Sequence, residues 1–419
     1  MDYKKIALNN ATLHIFKTTK FKKISIDVLL TDVVTEKNLS YRTLLSRCLE
    51  SKSKSYDNKQ KINRKLDMLY GANFGFSIGK TGDSCYIDAS IDGVNPKYVG
   101  DSNLLNDFFV FLSEFIFNPV LDESNVKEEK RLLLDDYKFE YENKSVYALI
   151  RSNEITYKNE KAKFKYNGDE NIVRTLTSND LIEYYDHIKK TNKVDIIVSG
   201  DVNEKEVLEL AKKYFDFGFK RNVEPLDYES KEIKKVEIVK ETTKSKQSQL
   251  VLRYRTNIRY KDDLDMALVL ANTIFGGFSS SLLFTNVREK NSLCYSISST
   301  IARFKGALTV TAGINKENYD KAVELINKQL DDMKNGIFSD QLFEMARLSL
   351  ISTAKKQTDS LGSITKKIYT YELLDKEFSL YDPLYDIERL TKEEVIEAIK
   401  NVKLDTIYFL EGSDNVEEI

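Results

Sequence analysis

The side chains best suited to chemistry lie in one stretch, Phe275-Gly-Gly-Phe-Ser-Ser-Ser-Leu-Leu-Phe-Thr-Asn-Val-Arg-Glu-Lys-Asn-Ser-Leu-Cys-Tyr295. Arg288 offers a fixed positive charge with planar donors, and Tyr295 offers a phenolic donor shortly after it. Gly276-Gly277 closes an apolar helix read from Met266 to Phe275, because glycine lets backbone turn sharply or approach another group closely. Ser279 to Ser281 can cap a second helix with Leu282, Leu283, Phe284 and Val287 on one face, and Ser292 to Ile301 has the β-branched and aromatic character of a strand. Arg288 and Tyr295 therefore bracket a helix-to-strand turn. From spacing alone, the usual explanation for such a pair is packing and solvation.

Other reactive constellations are scarce. Only two histidines occur, His14 in the first strand and His187 in a Tyr- and Lys-rich helix, and neither has a partner at metal-ligand spacing. Both read as structural or surface residues. Cys48, Cys85 and Cys294 are widely spaced in apolar contexts, which suggests buried thiols in a reducing compartment rather than a metal pair or a nucleophile. There is no Gly-x-Ser-x-Gly elbow, and the glycines between Gly71 and Gly82 lack the Gly-Lys-Ser/Thr ending of a phosphate loop. Acidic pairs such as Asp135-Asp136 and Asp262-Asp263 fit solvated helix faces.

With 419 residues the chain is expected to hold two domains. Charged residues make up 31% with a net charge of −2 and both signs interspersed, so no basic field exists to hold a nucleic acid. Lys52 to Lys65 and Lys231 to Lys246 read as solvated faces or linkers. The beginning Met-Asp-Tyr-Lys-Lys-Ile has no apolar signal core, and no run reaches a membrane span. Phe108 to Phe117 is the most apolar stretch, yet it is short and contains Glu114, as a core helix would. No membrane partner is expected, and the cytoplasm is the expected compartment.

The chain looks duplicated. A strand (Ile24 to Leu30), two helices (Ser40 to Leu49, Lys59 to Tyr70) and paired strands (Phe74 to Ile78, Ser84 to Ile91) are mirrored by Leu250 to Tyr254, Asp263 to Phe275, Ser281 to Arg288, Ser292 to Ile301 and Gly306 to Ala312. Long helices follow in both halves: Asn106 to Phe117 with Glu123 to Tyr141, and Asn318 to Met333 with Ser339 to Lys355. Each half closes with a helix opened by Leu-Thr, at Thr177 and Thr391, and a final strand, Val194 to Gly200 or Thr406 to Gly412. The join should lie in 220–246, a charged segment containing Pro225. The expected fold class is α+β, with two homologous domains, 1–222 and 223–419, each a mainly antiparallel β-sheet covered on one face by α-helices.

This duplicated order, together with the Gly-Gly-Phe-Ser-Ser-x-x-Leu-Phe-x-x-Val-Arg-Glu-Lys-x-Ser-Leu-Cys-Tyr segment, resembles the pitrilysin/insulinase family of zinc peptidases, which includes the mitochondrial processing peptidase. Shorter pieces, Leu66-Asp-Met-Leu-Tyr-Gly-Ala72 and Val194-Asp-Ile-Ile-Val-Ser-Gly-Asp-Val202, extend the likeness along the chain. The family implies a His-x-x-Glu-His motif on a first-domain helix, with two zinc-binding histidines and a glutamate that activates water. On Ser40-Tyr-Arg-Thr-Leu-Leu-Ser-Arg-Cys-Leu-Glu50 that motif falls on Thr43, Ser46 and Arg47, so histidines and base are missing. The third ligand, a downstream glutamate, falls near Lys127, or on Glu128 or Glu129 if the register slips. Restoring the first three positions is therefore expected to need a glutamate at 127 as well.

Arg288 and Tyr295 match the arginine and tyrosine that family members use to hold and polarise substrate. The resemblance thus implies a chain without peptidase activity of its own and without a cofactor, with zinc expected only in a partner chain. In a clam-like heterodimer with that homologous, zinc-bearing peptidase subunit, Arg288, Tyr295, Gly276 and Gly277 would contact the peptide substrate. Two alternatives stand beside this: a peptide-binding or scaffold protein with no peptidase role, and a free-standing peptidase with an unrecognised site.

Overall fold

The computed structural model describes residues 2–217, 233 and 235–413. Two compact units form. One comprises the described residues of Met1–Tyr137, Phe164–Asp227 and Thr358–Phe378, the other those of Lys138–Lys163, Tyr228–Gln357 and Ser379–Ile419. The expected boundary at 222/223 lies outside the described residues.

The first unit holds a six-stranded sheet of β1 (Asp2–Ala7), β2 (Thr12–Lys17), β3 (Lys23–Val33), β4 (Asn73–Thr81), β5 (Ser84–Val94) and β6 (Lys193–Gly200), in the order β1-β2-β6-β3-β5-β4. Neighbours are antiparallel except β2 and β6. Strict alternation explains its two faces. In β3 and β5 the residues Ile24, Ile26, Val28, Leu30, Ile87, Ala89 and Ile91 enter the core, where helices Glu36–Ser51 and Leu104–Phe117 add Leu44, Leu45, Phe108, Phe111 and Phe115. Their neighbours Ser25, Asp27, Thr31, Tyr86 and Asp88 consequently point to the other face.

The second unit repeats the plan with β7 (Glu237–Lys244), β8 (Ser248–Arg255), β9 (Cys294–Ala302), β10 (Ala307–Ile314) and β11 (Lys403–Ser413), ordered β7-β11-β8-β10-β9. Here the parallel pair is β7 and β11. The α+β, mainly antiparallel, two-domain class read from the sequence is the observed one. Both expected caps are present as reciprocal capping boxes, Thr177 with Asp180 and Thr391 with Glu394. The join region holds more order than its composition suggested. Residues along Glu237–Lys244 alternate between half-buried and exposed, with Lys240 and Lys244 on the exposed side, as suits an edge strand.

Each compact unit also takes a helix from the opposite half of the chain. Helix Leu361–Leu373 lies on the polar face of the first sheet. Its Thr365 hydroxyl donates to Asp27 at 3.2 Å, and its Tyr369 hydroxyl lies 2.8 Å from that of Thr31. Helix Lys144–Thr156 does the same in the second unit, packing Ala148 against Val251, Tyr408 and Leu410. There Arg253 donates to Ser152 and to the Leu149 carbonyl, and buried Arg255 is held between Glu160 (2.7 Å) and Asp405 (2.6 Å).

Beneath helix Leu361–Leu373, burial pushes the Asp27 carboxyl up to about 6, against the lowering effect of hydrogen bonds from Ser25 and Thr365. Asp88 is raised as well, by burial and by Asp27, with Lys366 opposing, and its Oδ1 has no hydrogen-bond partner among the described residues. A carboxyl raised in the fold is accommodated most easily when protonated. Its destabilising effect is absent below the ordinary carboxyl range near pH 4, grows through pH 4–6, and is complete above. Asp27→Asn, which keeps an acceptor without the charge, should therefore raise stability at pH 7–8 by roughly 1–3 kcal/mol and change little at pH 4. Thermal or urea unfolding of both proteins at the two pH values checks this; an Asn variant less stable at pH 8 would contradict it.

Candidate functional site

Helix Glu36–Ser51 starts at Thr35, whose hydroxyl accepts the Asn38 amide, and it delivers positions 43, 46 and 47 to one side. Thr43, Ser46 and Arg47 line a cavity of about 620 Å³ together with Glu50, Phe76 and Glu129. The two hydroxyls bond back to their own helix, Thr43 to the Leu39 carbonyl (2.9 Å) and Ser46 to the Thr43 carbonyl (3.1 Å). Arg47 reaches across to pair with Asp136 of helix Glu123–Glu142.

That second helix settles which side chain faces the cavity. Lys127 and Glu128 are exposed, and Glu128 pairs with Arg131. Glu129 is buried and lines the cavity, with its carboxyl raised chiefly by burial while Lys59 and Arg47 pull it down. The cavity's carboxylate thus comes from two residues beyond position 127, at the far end of the register range left open by the sequence. The pattern of residues marks the helix but not its rotation, because Lys127-Glu-Glu-Lys130 is polar on every side.

In the second unit, Gly276-Gly277 does end a helix, but by widening it. Asp265–Asn272 is followed by a π-turn over Thr273–Gly277, and Leu283–Glu289 forms another. Such wide turns often accompany functional sites. Gly276 is buried, and a Cβ there would lie 2.6 Å from Ser299 Oγ and 2.8 Å from Leu283 Cδ1, so the close approach it permits is to these side chains. Gly277 is exposed.

Arg288 is exposed, with its guanidinium 4.6 Å from the centre of the Phe284 ring, and no carboxylate of the described residues pairs with it. Ser292 then turns the chain with φ of 50°, donating its amide to the Arg288 carbonyl at 3.0 Å. Tyr295 lies in β9, the last strand of its sheet. Gly313 pairs with Ser296 and Ile314 with Cys294, which leaves Tyr295 as the extra residue of a bulge. A bulge re-aims a side chain, and this one leaves Tyr295 59% exposed with its hydroxyl donating to Asn315 at 3.1 Å.

Residues 175–350 match the sequence family described as "Peptidase M16 inactive domain". A curated relative from Bacillus subtilis (strain 168), "Probable inactive metalloprotease YmfF", is 32% identical over 414 residues, covering 96% of each chain. The chain belongs to the M16 peptidase family. The pitrilysin/insulinase resemblance is thereby borne out. A second B. subtilis relative, "Uncharacterized zinc protease YmxG", is 25% identical over 237 residues and covers 55% of this chain and 56% of its own. A conserved protein from Enterococcus faecalis V583 has the same fold over 100% of both chains, with a TM-score of 0.94 and 30% identity. A Pseudomonas fluorescens structure titled as a peptidase M16 inactive domain follows at 0.82 and 16%, again over 100% of both chains, which shows the fold alone.

Within the M16 family the chain is similar to members described as inactive. Zinc does not fit at positions 43, 46 and 47, because two hydroxyls already bonded to carbonyls and a paired guanidinium offer no metal donor, and the cavity's two carboxylates, Glu129 and a Glu50 that accepts the Phe76 amide, fall short of the three protein ligands such sites take. Nor do the thiols supply a nucleophile. Burial pushes Cys48 and Cys85 up and Cys294 up to about 11, despite Arg288 beside it, so all three stay protonated near neutral pH. His187 is exposed, whereas His14 is fully buried beside Asp195 and Glu372, a grouping that no local spacing announced.

The position of Glu129 changes one expectation. Thr43→His, Ser46→Glu and Arg47→His together should create a zinc site without any change at Lys127, so that the variant holds one zinc more than the unmodified chain. Glu129→Gln in that background should then weaken zinc at least tenfold. Equilibrium dialysis with metal analysis decides; an unaltered affinity after Glu129→Gln would remove Glu129 as the third ligand.

Proposed function

We propose that this M16 chain is the non-catalytic subunit of a two-chain zinc metallopeptidase, binding and positioning peptide for a homologous partner that carries an intact His-x-x-Glu-His motif. One contrast carries this. The metal positions of the first unit are filled by residues that cannot serve, while Arg288 and Tyr295 of the second stand exposed, one unpaired by any described carboxylate and the other pushed outward by a bulge. A residue retained only for stability would ordinarily be packed or paired; these two are presented.

The chemistry of the pair suits acyl transfer. An extended peptide can lie along the free edge of β9, where backbone groups are available for strand addition. Arg288 would hold a substrate carbonyl through planar donors, and Tyr295 would add its hydroxyl after exchanging Asn315 for the substrate oxygen. As the carbonyl becomes an oxyanion these hydrogen bonds turn charge-assisted and strengthen, which favours the transition state over the ground state. The partner chain would supply the metal and its activated water. Neither nucleic acid nor membrane has a place in this scheme, and no described helix is long and apolar enough to cross a membrane.

A second possibility, a peptide-binding or scaffold protein without a peptidase partner, draws on the cavity that persists beside edge strand β4. That edge is partly occupied. The Phe76 amide donates to Glu50 at 2.9 Å, and the Ile78 carbonyl accepts from the Tyr166 hydroxyl. An incoming peptide would have to displace both.

In a complex reconstituted with the partner, Arg288→Ala or Tyr295→Phe should lower kcat/KM for peptide cleavage about ten- to a thousandfold, as expected when an oriented donor to an oxyanion is lost. Size-exclusion chromatography should show the complex intact. Unchanged kinetics in an intact complex would reduce the pair to structural residues and favour the scaffold alternative.

A further inference from the structure

His14 is fully buried on the polar face of the first sheet, on β2 between the core residues Leu13 and Ile15. Its Nε2 lies 3.3 Å from Asp195 Oδ1 on the adjacent β6, and its Nδ1 lies 2.8 Å from the Tyr3 hydroxyl on β1. Helix Leu361–Leu373 adds Glu372 from above. One donor atom from each of His14, Asp195 and Glu372 falls within 4.8 Å of the other two.

An imidazole with two carboxylates is a donor set for zinc-class ions, and a second-shell hydrogen bond from the far ring nitrogen, here to the Tyr3 hydroxyl, is what orients such a ligand. In the tautomer that donates Nδ1–H to Tyr3, the Nε2 lone pair faces a carboxylate, which is favourable only with a cation between them. Asp195 Oδ2 is buried with no hydrogen-bond partner among the described residues, an uncommon state for a carboxylate oxygen.

A cation already stands there. The Lys193 ammonium is 2.6 Å from Glu372 Oε1 and 3.4 Å from Asp195 Oδ1, and Lys5 is 2.7 Å from Glu372 Oε2. The Lys193 ammonium leaves Asp195 Oδ2 without a partner among the described residues. Its side chain is 17% exposed, so it has a route to solvent.

We propose that His14, Asp195 and Glu372 form a binding site for a divalent transition-metal ion of the zinc class, with Lys193 as the cation that fills it in the metal-free chain. Metal entry moves the Lys193 ammonium to solvent and places the neutral ring's proton on Nδ1, so that Nε2 ligates while Tyr3 accepts. The ion would tie β2 and β6 to helix Leu361–Leu373, a clamp on the segment that the first unit borrows from the second half of the chain. This site is separate from positions 43, 46 and 47, and it stands whether or not a peptidase partner exists.

The test is equilibrium dialysis of the full chain against buffered Zn²⁺, with Mg²⁺ as the comparison ion and bound metal read by atomic emission. The wild type should take about one zinc, little magnesium, and gain in Tm with zinc. His14→Gln and Glu372→Gln should each weaken zinc at least tenfold and abolish the Tm gain, while Lys193→Met, which removes the competing ammonium and keeps all three ligands, should tighten it at least tenfold. If His14→Gln does not fold, Glu372→Gln and Lys193→Met still decide. The proposal is overturned if the wild type takes up no saturable zinc, if the foldable ligand variants bind it as tightly as the wild type, or if Lys193→Met leaves affinity unchanged or is the only form that binds.

Discussion

Arg47 and Asp136 pair across the two helices that flank the first unit's cavity, and this contact constrains the rest of the site. As a stabilising interaction it counts for little, since both side chains are substantially exposed and such pairs contribute about 0–1 kcal/mol. Its consequence is exclusion. A guanidinium is always charged, donates only, and repels a divalent cation placed beside it, so hydrolytic metal chemistry has no foothold where Thr43, Ser46 and Arg47 stand. The proposed peptide role accordingly rests on groups that need no metal at these positions, Arg288 and Tyr295 of the second unit.

The two sheets solve one problem twice. Alternation sends Ile and Val into each core and leaves a polar second face, which solvent would wet unless something covered it. A helix borrowed from the opposite half of the chain does so in each case. Under Leu361–Leu373 the covered groups are carboxyls pushed up by burial and the His14 cluster. Under Lys144–Thr156 they are arginines matched by carboxylates, and removing one partner of Arg255 would leave buried charge uncompensated, a loss of about 3–5 kcal/mol.

Much of this was legible in the residues. Period-two alternation in Ser84-Cys-Tyr-Ile-Asp-Ala-Ser-Ile, the Leu-Thr caps and the repeated element order gave the α+β class and the duplication, because those signals are local. Borrowed helices were not legible, since nothing in Leu361-Gly-Ser-Ile-Thr or Lys144-Ser-Val-Tyr says which sheet lies beneath. Nor was strand β7, whose Lys and Thr residues hide an edge strand inside a charged segment. At the site, Arg288 and Tyr295 were identified from motif and resemblance, whereas the bulge that exposes Tyr295 depends on pairing with β10. The grouping of His14 with Asp195 and Glu372 joins residues from three distant segments, which no spacing rule can find.

The most direct measurement compares peptide cleavage by this chain alone, by a homologous chain bearing intact His-x-x-Glu-His alone, and by their mixture at equal concentration. Complementation predicts negligible cleavage by either chain and robust, chelator-sensitive cleavage by the mixture, saturating at a one-to-one ratio. Full activity from the motif-bearing chain by itself, unchanged when this chain is added, would contradict it.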